Sequence, residues 1–275
     1  MNTKILNFKK INHFLFVSIL IAAIIFLTIT IFPFLNSHYG AVKTFDNGTV
    51  SHVPRIALKK GTSVNWAGYA VETNLTTPQK KAVSDVKGQW VVPAVTQSNT
   101  NSYSAIWVGI DGYSNNTVEQ IGTEQDFVNG TPRYLVWYEM YPQPSRTIDM
   151  SIKPGDIISA EVQYKDKGNF LLTIKNLTTG KTFSTTQKSN RAQLQSAEWI
   201  VEAPWSGGVL PLANFGTVNL SSSEAALNNQ VGTISNSSWQ NDKITMVSSD
   251  GTIVKALPSD LSSDGSSFSV QWCSN

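Results

Sequence analysis

The residues that could do chemistry in this sequence are carboxyl, carboxamide and indole side chains that recur at alternate positions of four short segments. Successive side chains of a strand point to opposite faces, so residues two apart share a face. Sorting the segments in this way places the following side chains on one alternate face: Trp107, Asp111, Gln120, Trp137, Glu139, Tyr141, Glu198 and Glu202. Bare solvent exposure would supply Lys, Thr and Ser, whereas aromatic rings beside acids suit a groove. The pattern therefore predicts a binding groove, with plain solvent exposure as the alternative.

The chemistry open to this groove is limited by residues that the chain lacks after position 60. The histidines are His13, His38 and His52, and the single cysteine is Cys273. A Ser-His-Asp or Cys-His pair, or a metal site built on imidazole, needs a neutral nitrogen base and is therefore excluded from residues 61–275. An intramolecular disulfide or a thiolate metal cluster is excluded as well. Any hydrolysis would have to use carboxylates, amides, lysine or hydroxyls, and we expect no metal and no cofactor.

The segments that must position these side chains have the pattern of short strands. Runs rich in Val, Ile, Thr, Tyr and Trp recur every 10 to 15 residues after Gly61, between clusters of Gly, Asn, Asp, Ser and Pro. Such spacing predicts an all-β sandwich. Only residues 190–196 and 222–229 look helical, and both stretches are short. We expect residues 61–275 to form one domain.

An apolar segment near the start of the chain predicts a membrane helix. Residues 14–35 include no charged residue, and a helix of this length, roughly 33 Å at about 1.5 Å per residue, spans a bilayer. Lys4, Lys9 and Lys10 precede it, which by the positive-inside tendency sends the rest of the chain to the extracellular side. We expect residues 1–35 to be a cytoplasmic tip followed by an uncleaved signal anchor. A cleaved signal peptide, which would release a secreted protein, is the alternative.

The stretch 36–60 follows neither a strand nor a helix period and is expected to be a linker or a pro-segment. Its basic residues are Lys43, Arg55, Lys59 and Lys60. Residues 61–275 hold 14 basic and 18 acidic residues, a net charge of −4. We expect the acids of the groove to hold the basic stretch near neutral pH, and self-cleavage near Lys60-Gly61 to release it in acid. A flexible tether between membrane and domain is the alternative.

Eight short motifs of the domain occur in one order: NWAGY, WVGIDG, VEQIGT, WYEMYP, IKPGD, NLTTG, AEWIVE and LANF. In this order, with similar gaps, they resemble the glutamic peptidases, the eqolisin family of acid endopeptidases. The resemblance covers most of residues 64–220. Each motif alone is weak evidence, but eight in the family's order are strong evidence.

The resemblance implies a double antiparallel β-sandwich of the lectin-like or jelly-roll type, whose concave face binds polypeptide substrates. It implies a catalytic pair that by matched position would be Gln120 and Glu202, with Trp107, Asp111 and Glu139 lining the active site. Glu202 would activate water as a general base, and the amide of Gln120 would stabilise the oxyanion. Because glutamine stays neutral, it would not raise the pKa of the base as a second carboxylate would, which is a physical reason for activity in acid.

Other functions remain open from the residues alone. The groove could bind sugars in a lectin-like sandwich, or hydrolyse glycosides with a carboxyl pair such as Glu139 and Glu202. Gln120 discriminates, because a glycosidase uses two carboxyls where the resembled family uses one carboxyl and one carboxamide. Each candidate could also be structural: Gln120 and Glu202 as strand residues, Asp111 and Glu139 as surface acids, and Trp107 as core. The net charge of +2 offers no basic face for nucleic acid, and we expect a monomer.

Overall fold

The computed structural model describes residues 50–275. Seventeen strands and no helix are found in this part of the chain. In chain order the strands are β1 Ala57–Lys59, β2 Thr62–Ser63, β3 Trp66–Glu72, β4 Val83–Val91, β5 Ala105–Ile110, β6 Val118–Val128, β7 Thr131–Tyr141, β8 Arg146–Ile148, β9 Ile157–Tyr164, β10 Asn169–Asn176, β11 Lys181–Lys188, β12 Ser196–Glu202, β13 Thr217–Leu227, β14 Gln230–Thr233, β15 Gln240–Val247, β16 Val254–Pro258 and β17 Phe268–Trp272.

One sheet, which we name the cleft sheet, carries the segments with the candidate side chains. Its strands lie in the order β15, β3, β12, β5, β6, β7 and β8, and every neighbouring pair is antiparallel. The candidate residues lie on or next to β12, β5, β6 and β7. These four strands are consecutive in the sheet, so side chains on their common face are neighbours across strands.

The second sheet packs behind the cleft sheet. Its strands follow the order β11, β10, β9, β4, β13, β17, β16, β15, β2 and β1, with β14 added to β13. All pairs are antiparallel except β15 with β2. Strand β15 joins the two sheets, because residues 240–244 pair with β3 and residues 245–247 pair with β2 and β16. The predicted all-β antiparallel sandwich is confirmed.

The main core lies between the sheets and follows the two-residue period of the strands. On β5, Ile106, Val108 and Ile110 are buried in it, as their shared face predicts, and on β12 it takes Trp199 and Val201. Each buried side chain of this size contributes about 1.5–3 kcal/mol. Within the described chain, packing rather than a disulfide stabilises the fold, since Cys273 is free and exposed.

A second aromatic layer covers the opposite face of the cleft sheet, where Trp66, Trp107 and Trp137 pack together with Ile200. Glycine permits this packing. A Cβ at Gly109 would lie 2.9 Å from Cζ3 of Trp107 and 3.1 Å from Cβ of Gln120. The missing side chain therefore lets the Trp107 ring lie against the sheet beside Gln120.

The prediction of helices at 190–196 and 222–229 is wrong. Most of the second stretch belongs to β13, whose residues 224–227 pair with β14 on one side and β4 on the other. The first stretch is a loop in which the backbone N–H groups of residues 193–195 donate to the carboxylate of Asp111 instead of to helical carbonyls. In both stretches partners distant in sequence override the local preference.

The predicted membrane segment 14–35 lies outside the described residues. Within residues 50–275, no helix has the length and apolarity that crossing a membrane requires.

Candidate active site

Glu202, the last residue of β12, is fully buried in the cleft sheet. Its Oε2 accepts a hydrogen bond of 2.8 Å from Nε1 of Trp107 and lies 3.3 Å from Nδ1 of His52. Its Oε1 has no hydrogen-bond partner within residues 50–275. Burial raises the pKa of Glu202 well above its ordinary value and the charge of Glu139 raises it further, whereas the Trp107 bond lowers it. Burial in the covered cleft therefore disfavours the charged form of this carboxyl.

Gln120 lies on β6, where it pairs with Gly109 of β5 and Glu139 of β7. Its side chain is fully buried, and Nε2 donates a 2.6 Å hydrogen bond to the backbone carbonyl of His52. Its Oε1 is left without a partner by the described residues. The amide thus offers one donor already directed at a peptide carbonyl and one acceptor still free.

Glu139 binds the backbone of the same covering residues. Its Oε1 accepts from the hydroxyl of Ser51 at 2.7 Å, and its Oε2 accepts from the backbone N–H of His52 at 2.7 Å. Burial raises the pKa of Glu139 from 4.5 to about 8, and these two hydrogen bonds act in the opposite direction. Glu139 therefore contacts the peptide bound in the cleft and is not a surface acid.

The tryptophans form the walls of the cleft. The imidazole of His52 stacks on Trp137 with ring centroids 3.4 Å apart and planes 10° apart. Trp107 meets Trp66 edge to face at 4.9 Å, and Tyr141, partly buried, packs against the same cluster.

Asp111 and Glu198 lie in a second group of carboxyls. Asp111 accepts three backbone N–H groups of residues 193–195 at 2.7–2.8 Å, so it holds the loop before β12. Glu198 lies opposite Gly109 of β5, and Gly109 in turn lies opposite Gln120 of β6. Burial, and then the charges of Asp111, Glu72 and Glu119, raise the pKa of Glu198. The structure thus brings Gln120, Glu202, Glu139, Trp107 and Trp137 around His52, and it places Asp111 and Glu198 among other acids.

Sequence analysis missed the residues that cover the site. Residues 61–275 hold no histidine, as stated above, but His52, which precedes the predicted domain, is buried against Trp137 and Glu202. The expected hold of basic side chains on the groove acids is not found in the described segment. Arg55 instead pairs with Asp242 at 3.3 Å, and Lys59 and Lys60 are exposed. Uncharged backbone groups and a hydroxyl make the contacts with Glu139.

Glu124 is a further buried acid that the sequence could have indicated. It continues the alternation of Val118, Gln120 and Gly122 on β6, and it pairs with Ala105, the β5 partner of Glu202. Burial raises its pKa, with added effects of the charges of Asp126 and Glu139. Among residues 50–275 no cluster of three or more His, Cys, Asp or Glu side chains is arranged to hold a metal ion.

The chain is similar to known proteins over most of its described length. A family model described as the peptidase A4 family matches residues 64–272. Aspergillopepsin-2 of Aspergillus niger is 30% identical in an alignment 189 residues long that covers 59% of this chain and 64% of that protein. The chain therefore covers less than two thirds of this relative's length.

Two solved structures have a similar fold. Scytalido-glutamic peptidase, crystallised with a peptide-based transition state analogue, matches with a TM-score of 0.62 and 23% identity over 76% of this chain and 98% of its own. Aspergilloglutamic peptidase from Aspergillus niger matches with a TM-score of 0.55 and 29% identity over 62% of this chain and 99% of its own.

Proposed function

Because the chain belongs to the peptidase A4 family, the glutamic peptidases, we propose that it is an endopeptidase that uses Glu202 and Gln120 to hydrolyse peptide bonds. One observation carries this proposal. The amide Nε2 of Gln120 donates at 2.6 Å to the carbonyl of a peptide bond in the cleft, and the carboxyl of Glu202 lies beside the same residue, 3.3 Å from Nδ1 of His52. An oxyanion donor and a proton carrier thus flank one peptide.

The proposed reaction needs an attacking water and a stabilised oxyanion. In this proposal the attacking water donates to Glu202 Oε1 and Gln120 Oε1, which are acceptors without partners among the described residues. Glu202 takes the proton of this water and returns it to the leaving nitrogen. The Gln120 Nε2 donor stabilises the negative charge on the carbonyl oxygen, a contribution of about a hundred- to a thousandfold in kcat.

Glu139, Trp107 and Trp137 position substrate and base in this proposal. Glu139 accepts the N–H of the residue whose carbonyl faces Gln120, which fixes the register of a bound chain. Trp107 donates to Oε2 of Glu202 and so leaves the second oxygen, Oε1, to act as the base. Trp137 offers a flat surface for the side chain on the amino side of the bond.

Activity in acid is part of the proposal. Buried neighbours of the pair, Glu139 and Glu124, have raised pKa values, so in acid they are neutral and do not oppose ionisation of Glu202. The leading cause of the raised pKa of Glu202 is burial, which decreases when the covering residues leave. Gln120 adds no charge at any pH. The family does not favour the alternative of a sugar-binding or glycoside-hydrolysing groove.

We also propose that this activity operates on the extracellular side, either anchored by residues 14–35 or secreted. The support is the uncharged segment and its preceding lysines.

The function is tested by adding an unfolded polypeptide to the protein at about pH 3.5 and at about pH 7, with an inhibitor of aspartic peptidases present throughout. We expect cleavage products in acid that the inhibitor does not suppress. Glu202→Gln should abolish them, whereas Glu198→Gln, the same change on the same face of β12, should not. Equal loss in both variants would contradict the assignment of Glu202, and no cleavage by the unaltered chain would contradict the function.

A further inference from the structure

Residues 51–53 occupy the candidate active site as a polypeptide substrate would. On the amino side of the His52–Val53 bond, the Ser51 hydroxyl and the His52 N–H both donate to Glu139 at 2.7 Å. Ser51 also exchanges two backbone hydrogen bonds of 2.9 Å with Trp205. Apart from the Ser51 hydroxyl, the groups that hold this side of the bond are backbone groups, which any substrate chain could supply.

The residue on the amino side of the bond, His52, contacts both proposed catalytic groups. The carbonyl oxygen of His52 accepts from Gln120 Nε2 at 2.6 Å. Nδ1 of the same residue lies 3.3 Å from Oε2 of Glu202. The oxygen that would become the oxyanion thus faces its proposed donor, and the proposed proton carrier contacts the residue whose bond would break.

The carboxyl side of the bond is fixed as well. Nε1 of Trp66 donates to the Val53 carbonyl at 3.1 Å. The N–H of Arg55 donates to the carbonyl of Gly112 at 3.0 Å, and the N–H of Ile56 donates to Asn65 Oδ1 at 2.8 Å. With both flanks held, the peptide is presented to the catalytic pair in one register.

We propose that His52–Val53 is a self-cleavage site, so that the chain is its own first substrate; this inference rests on the proposed function. A water adds its hydroxyl to the carbonyl carbon of His52, and the bond from that carbon to the nitrogen of Val53 breaks. Glu202 passes the proton of the water to this nitrogen. The products are a carboxyl group on His52 and an amine on Val53, and no other reactant is needed.

The geometry favours this bond over the predicted cleavage near Lys60-Gly61. That bond lies in the turn between β1 and β2, where the N–H of Lys59 donates to Thr62 Oγ1 at 3.1 Å and Lys59 and Lys60 are exposed. No described contact links this turn to Gln120 or Glu202. Until the bond is cut, Ser51 and His52 block the cleft to other chains, because they fill the hydrogen bonds that a substrate would use.

The test uses the full chain, prepared near neutral pH and then brought to about pH 3.5. N-terminal sequencing and intact mass identify the earliest products, while cleavage of an added unfolded polypeptide is followed in the same samples. We expect the earliest cut to give residues 1–52 and 53–275, and the Glu202→Gln chain to stay whole.

The two readouts separate the two proposals. If the protein cleaves the added polypeptide but stays whole, or is first cut at another bond, the self-cleavage site is refuted and the proposed function stands. If neither the chain nor the added polypeptide is cut, the proposed function fails and this inference fails with it.

Two variants test the role of the covering residues. His52→Ala removes the stack on Trp137 and the contact with Glu202, so we expect it to slow the first cut by about tenfold, which corresponds to a barrier about 1.36 kcal/mol higher. Lys60→Ala, an exposed control in the same stretch, should leave the rate and the new N-terminus at Val53 unchanged. A slower first cut in Lys60→Ala but not in His52→Ala would contradict the assigned bond.

Discussion

Glu72→Gln should make the fold more stable near neutral pH, and not in acid. Glu72 ends β3 and is fully buried; its Oε1 accepts a hydrogen bond from the Ser114 hydroxyl, and its Oε2 has no partner within the described residues. Burial raises its pKa from 4.5 to about 7, and the charges of Asp111 and Asp242 add to this. Glutamine keeps the shape and can still accept from Ser114, but it never carries the buried charge.

The size and sign follow from the two pKa values. In the unfolded chain the carboxyl ionises above its ordinary value of 4.5, whereas in the fold it keeps its proton up to about pH 7. The folded protein therefore binds more protons in this window, so its stability falls as pH rises through it. The difference between the two pKa values corresponds to about 3 kcal/mol of folding stability. All of this stability is present below pH 4.5, and all of it is lost above about pH 7.

The assay is urea unfolding followed by tryptophan fluorescence at about pH 4, 6 and 8. All chains carry Glu202→Gln so that self-cleavage does not occur. The gain from Glu72→Gln should be near zero at the lowest pH and should approach about 3 kcal/mol at the highest.

Asp264→Asn is a control of opposite sign. Hydrogen bonds from Ser262 and Ser266 lower the pKa of Asp264 from 3.8 to about 2. The ionised carboxylate therefore contributes stability above pH 3.8, and this contribution is lost as the pH falls toward 2. Replacing this carboxylate by the amide of asparagine should therefore destabilise the fold near neutral pH. A gain from Glu72→Gln that did not change with pH would refute the argument from burial.

Substitutions at three further residues test the role of each. Gln120→Ala should lower kcat on an unfolded polypeptide by about a hundred- to a thousandfold because it removes the oxyanion donor, and Gln120→Glu should not restore activity, since it adds a charge that competes for the same proton; a fully active Gln120→Glu would exclude the oxyanion role. Asp111→Ala should lower the free energy of unfolding by about 3 kcal/mol by leaving three backbone N–H groups without their acceptor, whereas Asp111→Asn should lose less, which thermal unfolding of both variants would show. Gly109→Ala should lower kcat more than it lowers stability, because its Cβ would lie 2.9 Å from the ring of Trp107 and 3.1 Å from Cβ of Gln120; kinetics and thermal unfolding of one preparation would separate the two effects.

Strand faces could be predicted because they depend on a local rule. The alternation along β5 assigns Ile106 and Val108 to the core and Trp107 to the cleft, and the structure has them there. The same rule, carried two residues beyond Gly122, would have found Glu124. Period-two arguments succeed in this chain because the core lies on one side of the cleft sheet and the aromatic layer on the other.

The covering segment and the two false helices could not be predicted for the opposite reason. His52 reaches the cleft through contacts with residues 68 to 150 positions away, and no local pattern around it signals that. Residues 222–229 have helix-like composition, but β4 and β14 supply their backbone partners. The prediction from net charge failed for a similar reason. The stretch 36–60 is basic, but the cleft binds uncharged backbone groups of His52.

The role of Glu202 as general base is tested by comparing two variants of strand β12, Glu202→Gln and Glu198→Gln. Both chains begin at Val53, so that Ser51 and His52 cover the cleft in neither. The measurement is kcat/KM on a defined peptide at about pH 3.5. We expect kcat/KM of Glu202→Gln to fall to below about 1% of the value of the unaltered chain, within the hundred- to ten-thousandfold that a general base contributes, and kcat/KM of Glu198→Gln to stay within about threefold. Substantial activity in Glu202→Gln, or loss of activity in Glu198→Gln alone, would contradict the assignment of Glu202 as the base.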